Sequence, residues 1–220
     1  MEAHTQILQR LLKELFTPEE IEQIKQLAKI EPFNLDALLA FDERLGGPGI
    51  SHINCQNSGR YAIADRDIFR PLQYCGTYFT VMISESNEAG YWLTRDIVEM
   101  SSLHIEGLVK RIGKVPFLPL GMALRKKIVK RKVNLVIWKQ IETYTHIYNS
   151  AKHDFSQDKD THMFSLEDAI LAYFICRQLG MRLYPLANLV TDITLLEQKC
   201  DEAEKARMPK LGNNPFMEKN

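Results

Sequence analysis

The sequence predicts an all-α protein, a helical bundle preceded by an N-terminal helical appendage. Apolar residues recur at three- and four-residue spacing along most of the 220-residue chain, which is typical of amphipathic helices. Few segments alternate with a period of two, so a substantial β-sheet is not expected. With 45% apolar and 25% charged residues, the chain has the composition of a folded protein that buries a sizeable core.

The first 45 residues are predicted to form three short helices, which make up the appendage. An apolar stripe runs through residues 7–15. Thr17, Pro18 and Glu20 then supply an N-cap, a first-turn proline and a capping box for the second helix. Asn34 opens the third helix, and Gly46-Gly47 closes it. The segment is acidic, with nine Asp and Glu residues against five Lys and Arg residues.

Residues 46–59 are the predicted linker, because glycines, a proline and small polar residues leave no apolar stripe there. The helical bundle follows over residues 60–207, and residues 208–220 are expected to form a frayed tail. Ser165 begins one bundle helix as its N-cap, and Gly180 is its expected C′ residue. The predicted helices of the bundle cover about 65–85, 90–112, 120–131, 134–152, 165–180 and 184–206.

Composition excludes several classes of protein. The formal net charge is zero, so the whole chain exerts no general attraction on nucleic acid or membrane. No apolar run approaches the length of a membrane span, and the N-terminal residues resemble an amphipathic helix rather than a signal peptide. The four cysteines show no C-x-x-C spacing and are expected to be reduced thiols, which favours a cytoplasmic location.

A polar stripe marks the helix predicted over 134–152 and its end. Because each helical residue advances about 100°, Glu142, His146, Asn149 and His153 fall within an arc of about 60°. The stripe therefore aligns a carboxylate, two imidazoles and an amide, a set of groups that is suited to proton transfer. Lys152 lies beside them and is suited to stabilising a developing negative charge. The alternative is an ordinary exposed helix face with an i,i+4 pair.

The segment YNSAKHDF, with Asn149 four residues before His153, resembles the HEPN proteins. That resemblance implies a bundle of about four or five helices, RNA cleavage, and a site completed by the motifs of two protomers. The family signature places an arginine before such an Asn, where this chain has Tyr148. Arg95 and Arg177 are the candidates to replace it.

We expect Arg177 to point toward the His153 region. The alternative is a structural ion pair, because an arginine among apolar neighbours usually meets a carboxylate. His104 falls on an apolar stripe and is expected to be a hydrogen-bonded core histidine. Glu106 with Lys110, and Arg95 with Glu99, are expected to be surface i,i+4 pairs.

A basic block lies between Glu106 and Glu142, an interval that contains ten basic residues and no acidic one. Its crowding predicts an anionic counterpart: a phosphate backbone, an acidic partner, or the acidic N-terminal segment of this chain. Plain solvation of a charged face and contact with a membrane surface are the other interpretations. The predicted nucleic-acid-binding residues are Arg125, Lys126, Lys127, Lys130, Arg131 and Lys132.

The leading functional hypothesis is therefore an RNA-associated HEPN-like protein, a candidate metal-independent endoribonuclease or defence component. Its predicted catalytic residues are His153, Asn149, Lys152, Arg177, His146 and Glu142. The alternative is a non-catalytic helical module that binds a partner protein. RNA, a protein partner or a second copy of the chain are the expected partners. No cofactor is predicted, and no metal site, since the spacing of His146, His153 and His162 matches no metal motif.

Overall fold

A computed structural model describes residues 4–29, 33–52, 65–84, 87–153, 164–190 and 192–211. Within these ranges the chain is helical and contains no strand, which confirms the all-α prediction. None of the described helices combines the length and the apolar character needed to cross a bilayer. The helices are α1 (His4–Leu15), α2 (Pro18–Lys29), α3 (Leu35–Arg44), α4 (Arg66–Ser84), α5 (Asn87–Gly113), α6 (Leu120–Leu124), α7 (Lys127–Lys132), α8 (Leu135–His153), α9 (Leu166–Leu183) and α10 (Ile193–Leu211).

Helix α5 is the centre of the bundle and packs against α4, α8 and α9. Its partner α4 is antiparallel to it, because His104 Nδ1 lies 2.8 Å from the Ile68 carbonyl while Cys75, further along α4, lies beside the Ile97 carbonyl. The α9 helix is parallel to α5, since the early Thr94 hydroxyl donates to the carbonyl of Phe164, just before α9 begins.

Helix α8 runs antiparallel to α5. The Arg95 guanidinium donates to the carbonyl of Ala151, near the end of α8, and Ser102 donates to the hydroxyl of Tyr144, further back. The bundle thus has two ends. One holds the C-terminus of α8 and the start of α9, and the other holds the start of α8 with α6 and α7.

The N-terminal segment belongs to the core and is not an appendage. Leu8, Leu11 and Leu12 of α1 are essentially fully buried. The Thr5 hydroxyl also donates to the carboxylate of Asp168 over 2.8 Å. The physical reason lies in α9, which buries all but a few of its residues. A helix that is apolar on all sides must be covered from every direction, and α1 and α2 cover it.

The predicted helix starts are confirmed by their hydrogen bonds. Thr17 and Glu20 form the expected capping box, with bonds of 2.8 and 3.3 Å. The Asn34 side chain accepts from the Ala37 amide at 3.0 Å. A second capping box joins Ser165 and Asp168 at the start of α9.

The predicted helix ends are less accurate. Helix α9 continues past Gly180 to Leu183. The expected helix over 184–206 is instead a 3-10 turn (Pro185–Ala187), a left-handed Asn188 with φ 56°, and then α10. The basic helix expected over 120–131 is two short helices, α6 and α7. The α10 helix extends to Leu211, into the predicted tail, and residues 212–220 lie outside the described ranges.

The first half of the predicted linker is fixed against the bundle. Gly46 and Gly47 adopt left-handed φ angles of 69° and 66°, which glycine reaches without a steric penalty. Ile50 is buried, and its amide donates to the Tyr173 hydroxyl at 3.0 Å. Residues 53–59 lie outside the described part of the chain. So does Cys55, whereas Cys75, Cys176 and Cys200 are buried thiols.

Candidate functional site

The polar stripe of α8 faces solvent, as its spacing predicts. Glu142, His146 and Asn149 are exposed. The opposite face is in the core, where Tyr144 and Ala151 are buried. An amphipathic helix packs its apolar side against the bundle, so its polar side is exposed to water. The side chain of His153 and residues 154–163 are outside the described part of the structure.

Two cations lie at the C-terminal end of α8. Lys152 Nζ donates to the Tyr148 hydroxyl over 3.3 Å and lies 5.3 Å from the centre of that ring. Arg95, on α5, donates from Nε to the Ala151 carbonyl at 2.6 Å. Arg95 is therefore the candidate arginine that the fold brings within two residues of His153.

Arg177 lies elsewhere, and the expectation that it points toward His153 is wrong. Its Nε donates to Asp42 Oδ1 at 2.8 Å and its Nη2 to the Gly46 carbonyl at 2.7 Å. Arg177 is eleven residues into α9, about 16 Å along the axis from the end that adjoins His153. The alternative prediction, a structural ion pair, is confirmed.

The Asp42–Arg177 pair is completely enclosed, with the two side chains 0% and 1% exposed. Burial alone raises the pKa of Asp42. The Arg177 charge opposes this, together with hydrogen bonds from Tyr173, Arg177 and Ser51, and the pKa of Asp42 is lowered below its usual 3.8. Both groups are charged in the folded protein. Their role is to tie α3 and the following glycine turn to α9.

His104 is the hydrogen-bonded core histidine that its position on the stripe predicts. Its ring is fully buried, with Nδ1 at 2.8 Å from the Ile68 carbonyl and Nε2 at 3.0 Å from the Tyr184 hydroxyl. Burial lowers the pKa of His104 to about 4, and the charge of Arg177 contributes in the same direction. The imidazole is thus neutral at physiological pH and structural in role.

The predicted nucleic-acid-binding residues share one surface at the opposite end of the bundle from His153. All six are exposed, and none forms an ion pair with any residue that the structure describes. Lys130 lies 5.3 Å from the ring of Trp138, whose indole donates to the Leu124 carbonyl and anchors α6 to α8. We call this surface, formed by Arg125, Lys126, Lys127, Lys130, Arg131 and Lys132, the basic surface.

The length of α8 separates the basic surface from His153. Leu135 begins α8 three residues after Lys132, and the eighteen-residue rise from Leu135 to His153 is about 27 Å. The exposed stripe of Glu142, His146 and Asn149 occupies the interval. One anionic chain must therefore follow the stripe to contact both ends.

A cavity at the C-terminal end of α5 is not predicted from the sequence. It has a volume of about 480 Å³ and lies between α4, α5 and the turn after α5. Glu106 and Lys110 line it as an ion pair with an Nζ–Oε1 distance of 2.5 Å. The pair was expected at the surface, but Glu106 is only 5% exposed. The lining residues are Pro71, Leu103, Glu106, Gly107, Lys110, Arg111, Lys114 and Pro116.

Lys114 in this lining has an unusual backbone conformation. It follows the last residue of α5 with φ 55°, in the left-handed region that a residue with a Cβ adopts at a cost of about 1–2 kcal/mol. The Val115 amide donates to the Lys110 carbonyl at 3.0 Å, which closes the helix end. A lysine thus occupies a position at which glycine is the favoured residue. In the local sequence, only the preceding Gly113 indicates that the helix ends here.

Comparison of the chain with protein-family models, with curated proteins and with solved structures gives no match.

Proposed function

We propose that the protein binds RNA through the basic surface. The observation that carries the proposal is the six exposed cations on α7 and the two residues before it, without an acidic partner among the described residues. Such a cluster repels itself, and a phosphate backbone relieves that repulsion while releasing condensed counterions. The described acidic residues of the N-terminal segment form no ion pair with this surface.

The salt dependence of binding tests this proposal. For a single-stranded RNA contacting all six side chains, the logarithm of the association constant falls with the logarithm of salt concentration with a slope near −4. Reversing three charges, as Lys126→Glu, Lys127→Glu and Lys130→Glu, abolishes tight binding in fluorescence anisotropy. The slope of any remaining binding becomes shallower by about 2 units.

A control variant carries the same total change of charge on exposed lysines elsewhere. Lys13, Lys29 and Lys205 are exposed and lie outside the basic surface, and their reversal to Glu should retain most of the affinity. Equal loss in both triple variants would indicate a general charge effect and contradict a defined binding surface.

Cleavage of the bound RNA is the second candidate function. Here the 2′-hydroxyl attacks the adjacent phosphate, a 2′,3′-cyclic phosphate forms, and the 5′-oxygen leaves with a proton. His153 moves the proton, Asn149 positions the RNA, and Lys152 stabilises the developing charge. The observation that favours this candidate is the position of Arg95, whose Nε donates to the Ala151 carbonyl over 2.6 Å. Arg95 thus supplies a guanidinium close to the motif, in which this chain has Tyr148 in place of the arginine of the family signature.

Incubation of labelled RNA with pure protein in EDTA tests the cleavage step. Wild type should produce cyclic-phosphate ends, and His153→Ala should not, while both proteins bind the RNA equally. Identical products from the two proteins would exclude His153 as the catalytic group and would leave RNA binding standing.

A non-catalytic module that binds an acidic protein remains the alternative function. Exposed apolar side chains at the same end of the bundle favour it, since Phe117 is 96% exposed and Leu135 65% exposed. Large exposed apolar residues beside charges are typical of protein interfaces. Binding of poly-L-glutamate in preference to RNA of equal charge would favour this module over the RNA proposal.

A further inference from the structure

We propose that the basic surface binds single-stranded RNA and that one base of the strand stacks on the ring of Phe117. This inference rests on the proposed function, since it specifies the class of RNA that the same surface binds. The side chain of Phe117 is 96% exposed. Among the exposed large apolar residues that the structure describes, no other exceeds 65%, so this aromatic face is unusually open to a ligand.

Phe117 is held at the tip of a well-defined turn. The Leu118 amide donates to the Val115 carbonyl over 3.2 Å, which closes a β-turn with Pro116 and Phe117 at its two central positions. Pro116 fixes its own φ, and Val115 and Leu118 pack against the core. Pro119 then caps the start of α6. The backbone that carries the ring is therefore preorganised, so little chain entropy is lost when a ligand binds there.

The turn lies beside the basic surface. A Cβ placed on Gly113 would lie 3.0 Å from a methyl group of Val115 and 3.0 Å from one of Val129. Val115 begins the turn, and Val129 is the buried residue of α7, so the turn and α7 meet at this point. A strand whose phosphates contact the cations of α7 therefore runs beside the turn that carries Phe117.

The small extent of the basic surface favours a single strand over a duplex. The six residues of α7 rise only about 9 Å, whereas a domain that recognises double-stranded RNA by its shape spans about 16 base pairs. In a duplex the bases stack on one another and are closed to an aromatic side chain. In a single strand they can stack on a phenylalanine ring while cations hold the backbone.

Fluorescence anisotropy of the full-length protein with two labelled strands of equal length tests the proposal. One strand alternates adenosine and cytidine and cannot pair with itself, and the other is an abasic strand with the same sugar-phosphate backbone. Wild type should bind the adenosine–cytidine strand about tenfold more tightly, because the abasic strand offers phosphates but no bases to stack. Phe117→Ala should lose this preference and keep the wild-type affinity for the abasic strand. It should also keep the wild-type salt dependence, since it loses no phosphate contact.

Three further variants separate stacking from general apolar contact. Phe117→Trp keeps an aromatic face and should retain the preference for the strand with bases. Phe117→Leu keeps an apolar side chain without the ring and should lose as much affinity as Phe117→Ala. Leu135→Ala removes a second exposed apolar side chain at the same end of the bundle and should bind as wild type. Because both positions are exposed, none of these variants should shift the denaturation midpoint.

Wild-type affinity of Phe117→Ala or of Phe117→Leu for the adenosine–cytidine strand would overturn the stacking proposal. A membrane contact is tested by sedimentation with phosphatidylserine vesicles. Weaker vesicle binding by Phe117→Ala, with unchanged strand binding, would assign the ring to a membrane and would also overturn it. RNA binding itself would stand in both cases, because wild type still binds the strand. Failure of wild type to bind either strand would instead remove the proposed function and this inference together.

Discussion

At the residue scale, Arg177 has the largest fully buried side chain in the described part of the protein. It is held by Asp42, which lies 135 positions earlier in the chain. Gly49 packs so closely that a Cβ there would collide with both side chains. The need of a buried arginine for a carboxylate follows from elementary electrostatics. The identity of the partner depends on the tertiary fold and cannot be read from local spacing.

Removing the carboxylate should strongly destabilise the protein. We expect Asp42→Ala to lower the free energy of unfolding by about 3–5 kcal/mol, because it leaves the buried Arg177 charge uncompensated. Tyr173→Phe keeps the ion pair but removes two hydrogen bonds, the 2.6 Å bond to Asp42 and the 3.0 Å bond from the Ile50 amide, and should cost less, about 1–3 kcal/mol. Urea denaturation at neutral pH measures both values, and similar small losses in the two variants would contradict an essential ion pair.

The neutral His104 makes stability depend on pH. Its pKa is about 4 in the folded state against 6.5 for the ordinary side chain, so the unfolded chain binds the proton first. The contribution is complete above pH 6.5 and is lost as pH falls toward 4, by about 3 kcal/mol in total. Urea denaturation at several pH values between these limits should show the decline.

The matched variant is His104→Gln, which does not titrate in this range. Its unfolding free energy is lower at neutral pH, since buried bonds are altered, but it should change much less between pH 6.5 and 4.5. A decline of the same size in wild type and variant would assign the pH dependence to other groups.

At the scale of the element, Gly180 shows how one residue type serves different purposes. Glycine near the end of an apolar stripe predicts a helix stop, yet α9 passes through it. A Cβ at Gly180 would lie 2.9 Å from His104 Nε2. The glycine therefore permits close packing of α9 against α5, and this requirement is set by a side chain 76 positions away.

Two glycine substitutions distinguish packing from backbone preference. Gly180→Ala should destabilise the protein by about 1–3 kcal/mol, because the fixed His104 ring must move. In Gly121→Ala of α6 the new Cβ would lie 3.9 Å from the Thr145 methyl group, an ordinary van der Waals contact. The gain in helix propensity should therefore dominate and stabilise the protein by about 0.5–1 kcal/mol. Thermal denaturation gives both signs, and stabilisation by Gly180→Ala would contradict the packing role.

Some features of the candidate site also follow from the local sequence, whereas others depend on the tertiary fold. The exposed stripe of α8 follows from residue types at a 3.6-residue period, which the fold preserves. The approach of Arg95 to Ala151 depends on the antiparallel register of α5 and α8, which no short pattern contains. The cavity joins Pro71 of α4 to Glu106 of α5 and Pro116 of the following turn, so it exists only in the assembled bundle.

At the scale of the whole molecule, the predicted boundary after residue 45 illustrates the limit of composition as a guide. A glycine-rich stretch follows the acidic N-terminal segment, but the helices on both sides of that stretch share one hydrophobic core. A stripe of leucines on a short helix requires an apolar partner. The apolar surface of α9 meets that requirement across more than 150 residues of chain.

The shared core predicts that α1 supports the stability of the entire bundle. Leu12→Ala should lower the unfolding free energy by about 2–5 kcal/mol, because Leu12 is fully buried. Leu135→Ala is the control, since Leu135 is 65% exposed and should change stability by less than about 0.5 kcal/mol. Denaturant unfolding should remain a single transition, and an unaffected main transition in Leu12→Ala would restore the separate appendage.

The pairing of α1 with α9 has a consequence during translation. Thr5 finds Asp168 only after that residue has been synthesised, which at ordinary ribosomal speed takes roughly 10–30 s after α1 is made. Throughout that interval the leucine stripe of α1 has no permanent partner. The exposed stripe makes the nascent chain a substrate for ribosome-associated chaperones. Helix α1 can take its place in the bundle only after α9 has been synthesised.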